Sequence, residues 1–350
     1  MSARSVQDEA AAAFHRLTVK AVREETPDAR SFVLVPDAGE EALYHYRPGQ
    51  FLTFRVPHEE GEILRSYSLS SAPCSDPDLT VCVKRVAEGR GSNWFNDRLI
   101  PGARIMARPP AGRFVLRASA APLLLIAGGS GITPCISLVK QALFETERRV
   151  KLVYANRDEA SVIYRDQLTL MEQRFAERFT CQHWLDNALG FMTPIDITGL
   201  AKGWEGAESY VCGPDPLMSM AEETLANLFG PEAVILTERF VSPEDTPLEG
   251  APQAGGEAVD SYRVTLDGED HSIEITAGQT LLEAALAAGI DVPNSCTEGH
   301  CGTCMSQLKS GEVSMASTRA LSKRNLARGY VLACQARPTT ADPIWLDFDF

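Results

Sequence analysis

Four cysteines constrain the fold of this chain more tightly than any other feature. Cys296, Cys301 and Cys304 stand in a C-x4-C-x2-C arrangement, and Cys334 follows after 29 intervening residues at the end of the apolar stretch VLAC. That spacing is one by which thiolates hold a [2Fe-2S] cluster. A short loop has to fold around the inorganic core while a distant strand delivers the last sulfur. Gly299 and Gly302 let the loop backbone approach closely and aim N–H donors at the sulfurs. A four-cysteine zinc site, which more often shows two C-x2-C pairs, and unligated core thiols are the alternative readings. His300, inside the loop, is expected to face solvent rather than to hydrogen-bond the cluster.

The surrounding sequence supplies a frame for that loop. Tyr262 to Leu266 and His271 to Ile275 alternate around Asp267-Gly268, a two-residue hairpin turn in which Gly accepts positive φ. Thr280 and Glu283 form a capping-box pattern before LEAALAA, and Gly289 stands where a helix C′ glycine ends it. The segment resembles a plant-type ferredoxin domain, which implies a β-grasp fold in which a helix covers a mixed sheet over residues 261–350.

With 350 residues, the chain is longer than one core usually needs, so further domains are expected. Its 33 basic and 47 acidic residues give a net charge of −14, which offers no general attraction to nucleic acid or anionic lipid. Composition is that of a globular protein, 44% hydrophobic and 23% charged. Residues 1–14 carry acidic side chains and no apolar signal core, so a disordered N-terminus and a cytoplasmic protein are expected. Residues 241–260 hold three Pro, three Gly, five acidic residues and no basic one, the composition of a flexible linker. Upstream, residues 15–118 show short alternating runs (LTVKAV, SFVLV, FLTFRV, LTVCVKRV) that predict an antiparallel β-barrel. From 119 to 240 apolar strands alternate with helical stretches, which predicts an α/β domain with a parallel sheet.

Two motifs in the barrel segment point to a nucleotide cofactor. In Arg65-Ser66-Tyr67-Ser68-Leu69-Ser70 the strand period puts Arg65, Tyr67 and Leu69 on one face and the serines on the other. Alone, this is a plain polar strand. Further on, Gly89-Arg90-Gly91-Ser92 enters a helical stretch, where unpaired N–H groups suit a pyrophosphate. Together they resemble the flavin-binding barrel of the ferredoxin–NAD(P) reductase family. The resemblance implies a flavin, with FAD favoured over FMN, and places Arg65 on the pyrophosphate, Tyr67 against the isoalloxazine ring, Ser68 near its N5, Leu69 lining the site, and Gly91 and Ser92 at the diphosphate.

The α/β segment carries the matching nicotinamide signals. LLLIAGGSGITP places Gly128, Gly129 and Gly131 at a strand-to-helix turn, with Thr133 and Pro134 opening the helix. This is G-x-G-x-x-P, so the usual dinucleotide fingerprint is not fully met. Val211-Cys212-Gly213-Pro214 ends a later strand, where ligands of open α/β sheets gather. Both resemble the pyridine-nucleotide domain of the same reductase family, which implies that Cys212 lies beside the nicotinamide and Phe240 near the flavin. Arg157 suits a 2′-phosphate, whereas Asp158 or Glu159 suits a ribose hydroxyl, so NADH and NADPH stay open, with NADH favoured by resemblance. Cys74, Cys82, Cys135, Cys181, His45, His58 and His183 show no ligand spacing and read as packing or surface residues.

The order flavin barrel, nicotinamide domain, ferredoxin resembles the reductase components of multicomponent oxygenases. YANRDEASVIYRDQL, GSNWFND, CTEGHCGTC and VLACQARP are similar to the 3-ketosteroid 9α-hydroxylase reductases; FHRLTV, TERF and the FDF ending are similar to phenylacetyl-CoA epoxidase reductases. The resemblance implies an oxidoreductase, with Ser68 and Cys212 as its catalytic residues. It takes two electrons at once from NAD(P)H and passes them singly through the cluster to a terminal oxygenase, Rieske-type or di-iron, with no nucleic-acid or membrane partner. A non-enzymatic iron–sulfur sensor or scaffold is the reading of a different class.

Overall fold

The computed structural model describes residues 14–59, 61–240, 261–340 and 342–350. The N-terminal stretch expected to be disordered, all but its last residue, and the linker expected at 241–260 lie outside the described residues. The chain divides into two compact units, residues 1–238 and 239–350.

The first unit opens with a six-stranded sheet made of β1 (His15–Thr26), β2 (Ala29–Pro36), β3 (Phe51–His58), β4 (Gly61–Ser68), β5 (Leu79–Lys84) and β6 (Arg104–Ala107). All its pairings are antiparallel, in the order β4-β3-β6-β1-β2-β5. Alternation sends Leu17, Val19, Phe32, Leu34, Leu52, Phe54 and Val56 into one core. The two outer strands meet just beyond β4, where Leu69 bridges Val81 and Ser70 N–H donates to Thr80 O at 2.8 Å. The sheet is thereby closed into a barrel. Helix α1 (Arg90–Arg98) places fully buried Phe95 in that core.

The second sheet of this unit is parallel: β7 (Leu123–Gly128), β8 (Val150–Asn156), β9 (Phe179–Leu185), β10 (Glu208–Cys212) and β11 (Ile235–Glu238), ordered β11-β10-β7-β8-β9. Every residue of β7 is buried, as a strand covered on both faces requires. One face packs with α2 (Ile132–Glu145) and α3 (Arg165–Arg174), the other with α5 (Pro194–Ala201) and α6 (Asp215–Phe229); the short α4 (Asp186–Leu189) follows β9. The strand order reverses beside β7, so the loops after β7 and β10 diverge at a switch point, the crevice where such sheets bind ligands. Arg148 Nη2 donates to Glu208 Oε2 at 2.6 Å with both side chains buried.

The second unit contains a mixed sheet of β12 (Ser261–Leu266), β13 (Glu269–Glu274), β14 (Met305–Ser310), β16 (Tyr330–Leu332) and β18 (Trp345–Asp347), ordered β13-β12-β18-β14-β16. A two-stranded ribbon pairs β15 (Val313–Met315) with β17 (Ala336–Pro338). Asp267 and Gly268 join β12 to β13 with φ of 53° and 79°, the turn geometry that matches strand twist. Helix α7 (Leu281–Ala287) starts at the Thr280/Glu283 capping box and buries Leu281, Leu282, Ala284 and Ala285. The remaining helix, α8 (Lys323–Ala327), precedes β16. Among the described residues no helix is long and apolar enough to cross a membrane.

Candidate functional site

In the first unit, the barrel motif and the glycine-rich turn come together. A Cβ at Gly91 would fall 2.6 Å from Arg65 Cγ and 3.2 Å from Tyr67 Oη, so only glycine lets the start of α1 approach β4 this closely. Tyr67 lies edge-on to Phe95 at 4.8 Å and is tilted against Phe54 at 6.1 Å. Burial raises the pKa of its phenol and keeps it neutral. Ser92 Oγ accepts from Val86 N–H at 3.1 Å, closing the turn. Leu69 points into the barrel core and is fully buried, while its N–H donates to Gln50 O at 2.8 Å.

The nicotinamide motifs also interlock. A Cβ at Gly131 would collide with the Cys212 carbonyl oxygen, and one at Gly128 would fall 2.7 Å from Pro214 Cδ. The loops after β7 and β10 therefore pack backbone to backbone, with Gly213 against Gly128. Gly129 O accepts from Tyr154 Oη at 2.9 Å, and Thr133 Oγ1 donates to Ser130 O at 3.0 Å, fixing the entry to α2; Pro134 is buried in its first turn.

The two halves are joined by a pair that sequence reasoning missed. Ser68 Oγ donates to Glu238 Oε2 at 2.8 Å across 170 positions of sequence. Glu238 pairs in register with Cys212 on the neighbouring strand. Desolvation by the surrounding protein pushes the Glu238 carboxyl up to about 7, against the opposing hydrogen bond from Ser68. Burial first, then the charges of Glu238 and Cys135, holds the Cys212 thiol well above its ordinary range, so it is a neutral group. The only sequence-level signal for Glu238 was an acid ending the apolar run ILTE at the carboxyl edge of a strand.

The segment expected to distinguish NADH from NADPH is largely committed elsewhere. Asp158 Oδ1 accepts from Ser161 N and Oγ at 2.9 and 2.7 Å, and Glu159 is paired with Arg165. Arg157 reaches across to Asp28 of the barrel at 3.1 Å, where Lys84 also approaches at 3.7 Å. Phe240 falls in the second unit and its side chain is exposed.

In the second unit the four cysteines meet two by two. The Cys296 and Cys301 thiols interact, lowering the first pKa well below and raising the second well above the ordinary value. The hydrogen bond with Cys334, followed by burial, raises the pKa of Cys304 well above its ordinary value. Gln335 Nε2 donates to Cys334 Sγ at 3.5 Å and Cys296 N–H to Cys301 Sγ at 3.5 Å. Among the described residues no three of His, Cys, Asp and Glu are grouped to hold a single metal ion. Paired thiols flanked by N–H donors fit a binuclear cluster with two ligands per iron. The expectation for His300 is corrected: it is 6% exposed, because it sits in a loop whose Ser295, Cys296, Thr303 and Cys304 are buried as well. Its ring lies close enough to Cys296 to help lower that thiol's pKa, and its Nδ1 is 3.7 Å from Glu298.

Comparisons with known proteins agree with this geometry. Residues 16–116 match the oxidoreductase FAD-binding domain, 125–223 the oxidoreductase NAD-binding domain and 264–339 the 2Fe-2S iron-sulfur cluster binding domain. The chain is 40% identical over 340 residues to the ferredoxin reductase component of 3-ketosteroid-9-alpha-monooxygenase from Rhodococcus rhodochrous, covering 95% of this chain and 96% of that one. It belongs to the flavin and iron–sulfur reductase family of oxygenase systems. This reductase is also 33% identical to one component of the 1,2-phenylacetyl-CoA epoxidase from Escherichia coli, over 96% of its own length and 98% of that chain. Its structure matches phthalate dioxygenase reductase with a TM-score of 0.60 at 28% identity, over 97% of this chain and 99% of that one. The reductase is thus an oxidoreductase that uses FAD, NAD(H) and a [2Fe-2S] cluster, built as an antiparallel flavin domain, a parallel nicotinamide domain and a C-terminal iron–sulfur domain. These matches displace the reading of a non-enzymatic scaffold.

Proposed function

We propose that this reductase delivers electrons from NADH to the terminal oxygenase of a 3-ketosteroid 9α-hydroxylating system in the cytoplasm. The supporting observation is 40% identity along 95% of the chain to a protein named as that system's reductase component. When bound, FAD accepts electrons from NADH as a pair and the [2Fe-2S] cluster carries them one at a time.

The chain's own residues position that exchange. Arg65, Gly91 and Ser92 hold the flavin pyrophosphate, with Tyr67 against the ring system and the Leu69 backbone at its edge. Gly128, Gly129, Gly131, Thr133 and Pro134 cradle the dinucleotide at the start of α2, where first-turn N–H groups have no intrahelical partner. Cys212, Gly213 and Pro214 form the wall opposite, and Arg157 borders the ribose end. Ser68 and Glu238 place a hydroxyl and a titrating carboxyl side by side, an arrangement suited to aligning the reacting ring and to holding a proton there. Cys296, Cys301, Cys304 and Cys334 hold the cluster.

The direct test is reconstituted turnover. Purified reductase is mixed with the oxygenase component of a ketosteroid 9α-monooxygenase, NADH and a 3-ketosteroid, and NADH loss is compared with hydroxylated product. The proposal expects coupled turnover, faster than with phenylacetyl-CoA epoxidase components. Coupled epoxidation without steroid hydroxylation would overturn it.

A further inference from the structure

The iron–sulfur domain segregates its charge. Residues 261–312 hold eight acidic and two basic side chains, 313–341 hold five basic and no acidic one, and 342–350 add three acidic ones. Sheet order turns this into a spatial polarity: β13, with its acidic residues, forms one edge, and β16, preceded by α8, forms the other. The cluster ligand Cys334 lies two residues past the end of β16, and Ala320 Cβ lies 3.8 Å from the Cβ position of Gly302. The basic segment therefore borders the ligand loop.

Arg319, Lys323 and Arg328 are exposed, and their side chains form no ion pair or hydrogen bond among the described residues. Elsewhere in the domain Arg263 is paired with Asp270, and Lys309 lies 3.2 Å from Asp347. Beside the free cations, Leu326 is exposed and Tyr330 lies tilted against Phe350 with ring centroids 4.6 Å apart, adding the apolar and aromatic surface common at protein interfaces. Basic residues also guard an edge strand against pairing with another chain. That role would not depend on the sign of a partner's charge.

We propose that this basic edge is the docking face for an acidic redox protein that takes electrons from the cluster, an inference that rests on the reading of the chain as an electron donor. Unpaired cations along the edge that leads to the ligand loop steer an anionic partner into contact and fix its orientation, an attraction that reaches over a Debye length of about 8–10 Å. The transfer moves one electron outward, oxidising the cluster and reducing the acceptor's metal by one unit, with no proton or bond exchanged.

The test uses the holoprotein, NADH, and two haem acceptors of opposite charge, acidic cytochrome b5 and basic cytochrome c, each at several ionic strengths. At low salt the double variant Lys323→Glu/Arg328→Glu is expected to reduce cytochrome b5 about tenfold more slowly. It should lose most of the salt dependence, yet reduce cytochrome c no more slowly. Lys323→Gln/Arg328→Gln is expected to fall between the two, and cluster bleaching by NADH without acceptor should be unchanged. Equal cytochrome b5 rates in all variants would overturn the proposal. Slower cluster bleaching would overturn it too, by assigning the face to electron entry within the chain. Wild-type rates no higher than those of Cys334→Ala with both acceptors would instead overturn the donor role itself.

Discussion

Ser68 and Glu238 share a 2.8 Å hydrogen bond that ties a barrel strand to the last strand of the parallel sheet. A carboxyl with a pKa of about 7 beside a hydroxyl changes its state within the physiological range. Above that pH the carboxylate accepts from Ser68; below it the acid offers a proton.

Glu238→Gln removes this titration. Flavin reduction by NADH, followed by stopped flow from pH 5.5 to 8.5, is expected to show a step near pH 7 in the wild type and a flat profile in the variant. Ser68→Ala should slow the same step at every pH through lost alignment. The sign for stability follows as well. The folded pKa lies above the unfolded value, so the stability this carboxyl contributes is fully present below about pH 4.5 and is lost as pH rises through about 7. Chemical denaturation should find that the advantage of the wild type over Glu238→Gln shrinks across that window.

Gly131→Ala tests the interlocked nicotinamide loops. The backbone at Gly131 is helical, with φ of −62°, so the penalty is steric and not conformational: a methyl group meets the Cys212 carbonyl. Overpacking of this kind costs about 1–3 kcal/mol. A lower melting temperature and a raised KM for NADH are expected, with ferricyanide reduction by chemically reduced protein unaffected.

Arg148→Ala addresses stability away from the chemistry. It strands Glu208 as an unpaired buried carboxylate, which costs about 3–5 kcal/mol. Replacing both partners by apolar residues, as in Arg148→Met with Glu208→Leu, should recover most of that loss in urea denaturation.

Cys334→Ala separates the two redox stages. Because this ligand comes from a remote strand end, its loss should leave flavin bleaching by NADH nearly intact while abolishing electron output through the cluster, measured by iron content and cytochrome reduction. Full output from the variant would remove Cys334 from the ligand set.

What could be read from the sequence was what chemistry confines to a short span. The spacing of Cys296, Cys301 and Cys304 and the glycines at 91, 128 and 131 are forced by close approach to a ligand or a neighbouring loop, so they stand out locally. The Asp267-Gly268 turn and the Thr280/Glu283 cap are equally local, and the alternating and continuous apolar runs already carried the contrast between barrel and parallel sheet. Long-range pairings were not visible. Glu238 acquires its raised pKa and its Ser68 partner only when two sheets meet, and Arg157 finds Asp28 in the same way. His300 looked like a polar loop residue, yet it is buried along with its loop neighbours Cys296, Thr303 and Cys304. Leu69 followed the strand alternation, but closure of the barrel commits its side chain to the core.

The central claim is that one chain converts paired electrons into single ones, and an anaerobic titration of the holoprotein with NADH tests it most directly, following flavin absorbance and the paramagnetic signal of the cluster together. A two-electron flavin and a one-electron cluster predict an end point of about 1.5 NADH per chain, with the cluster signal appearing in step with flavin reduction. An end point of about 1 NADH with no cluster signal, or zinc in place of iron, would contradict it.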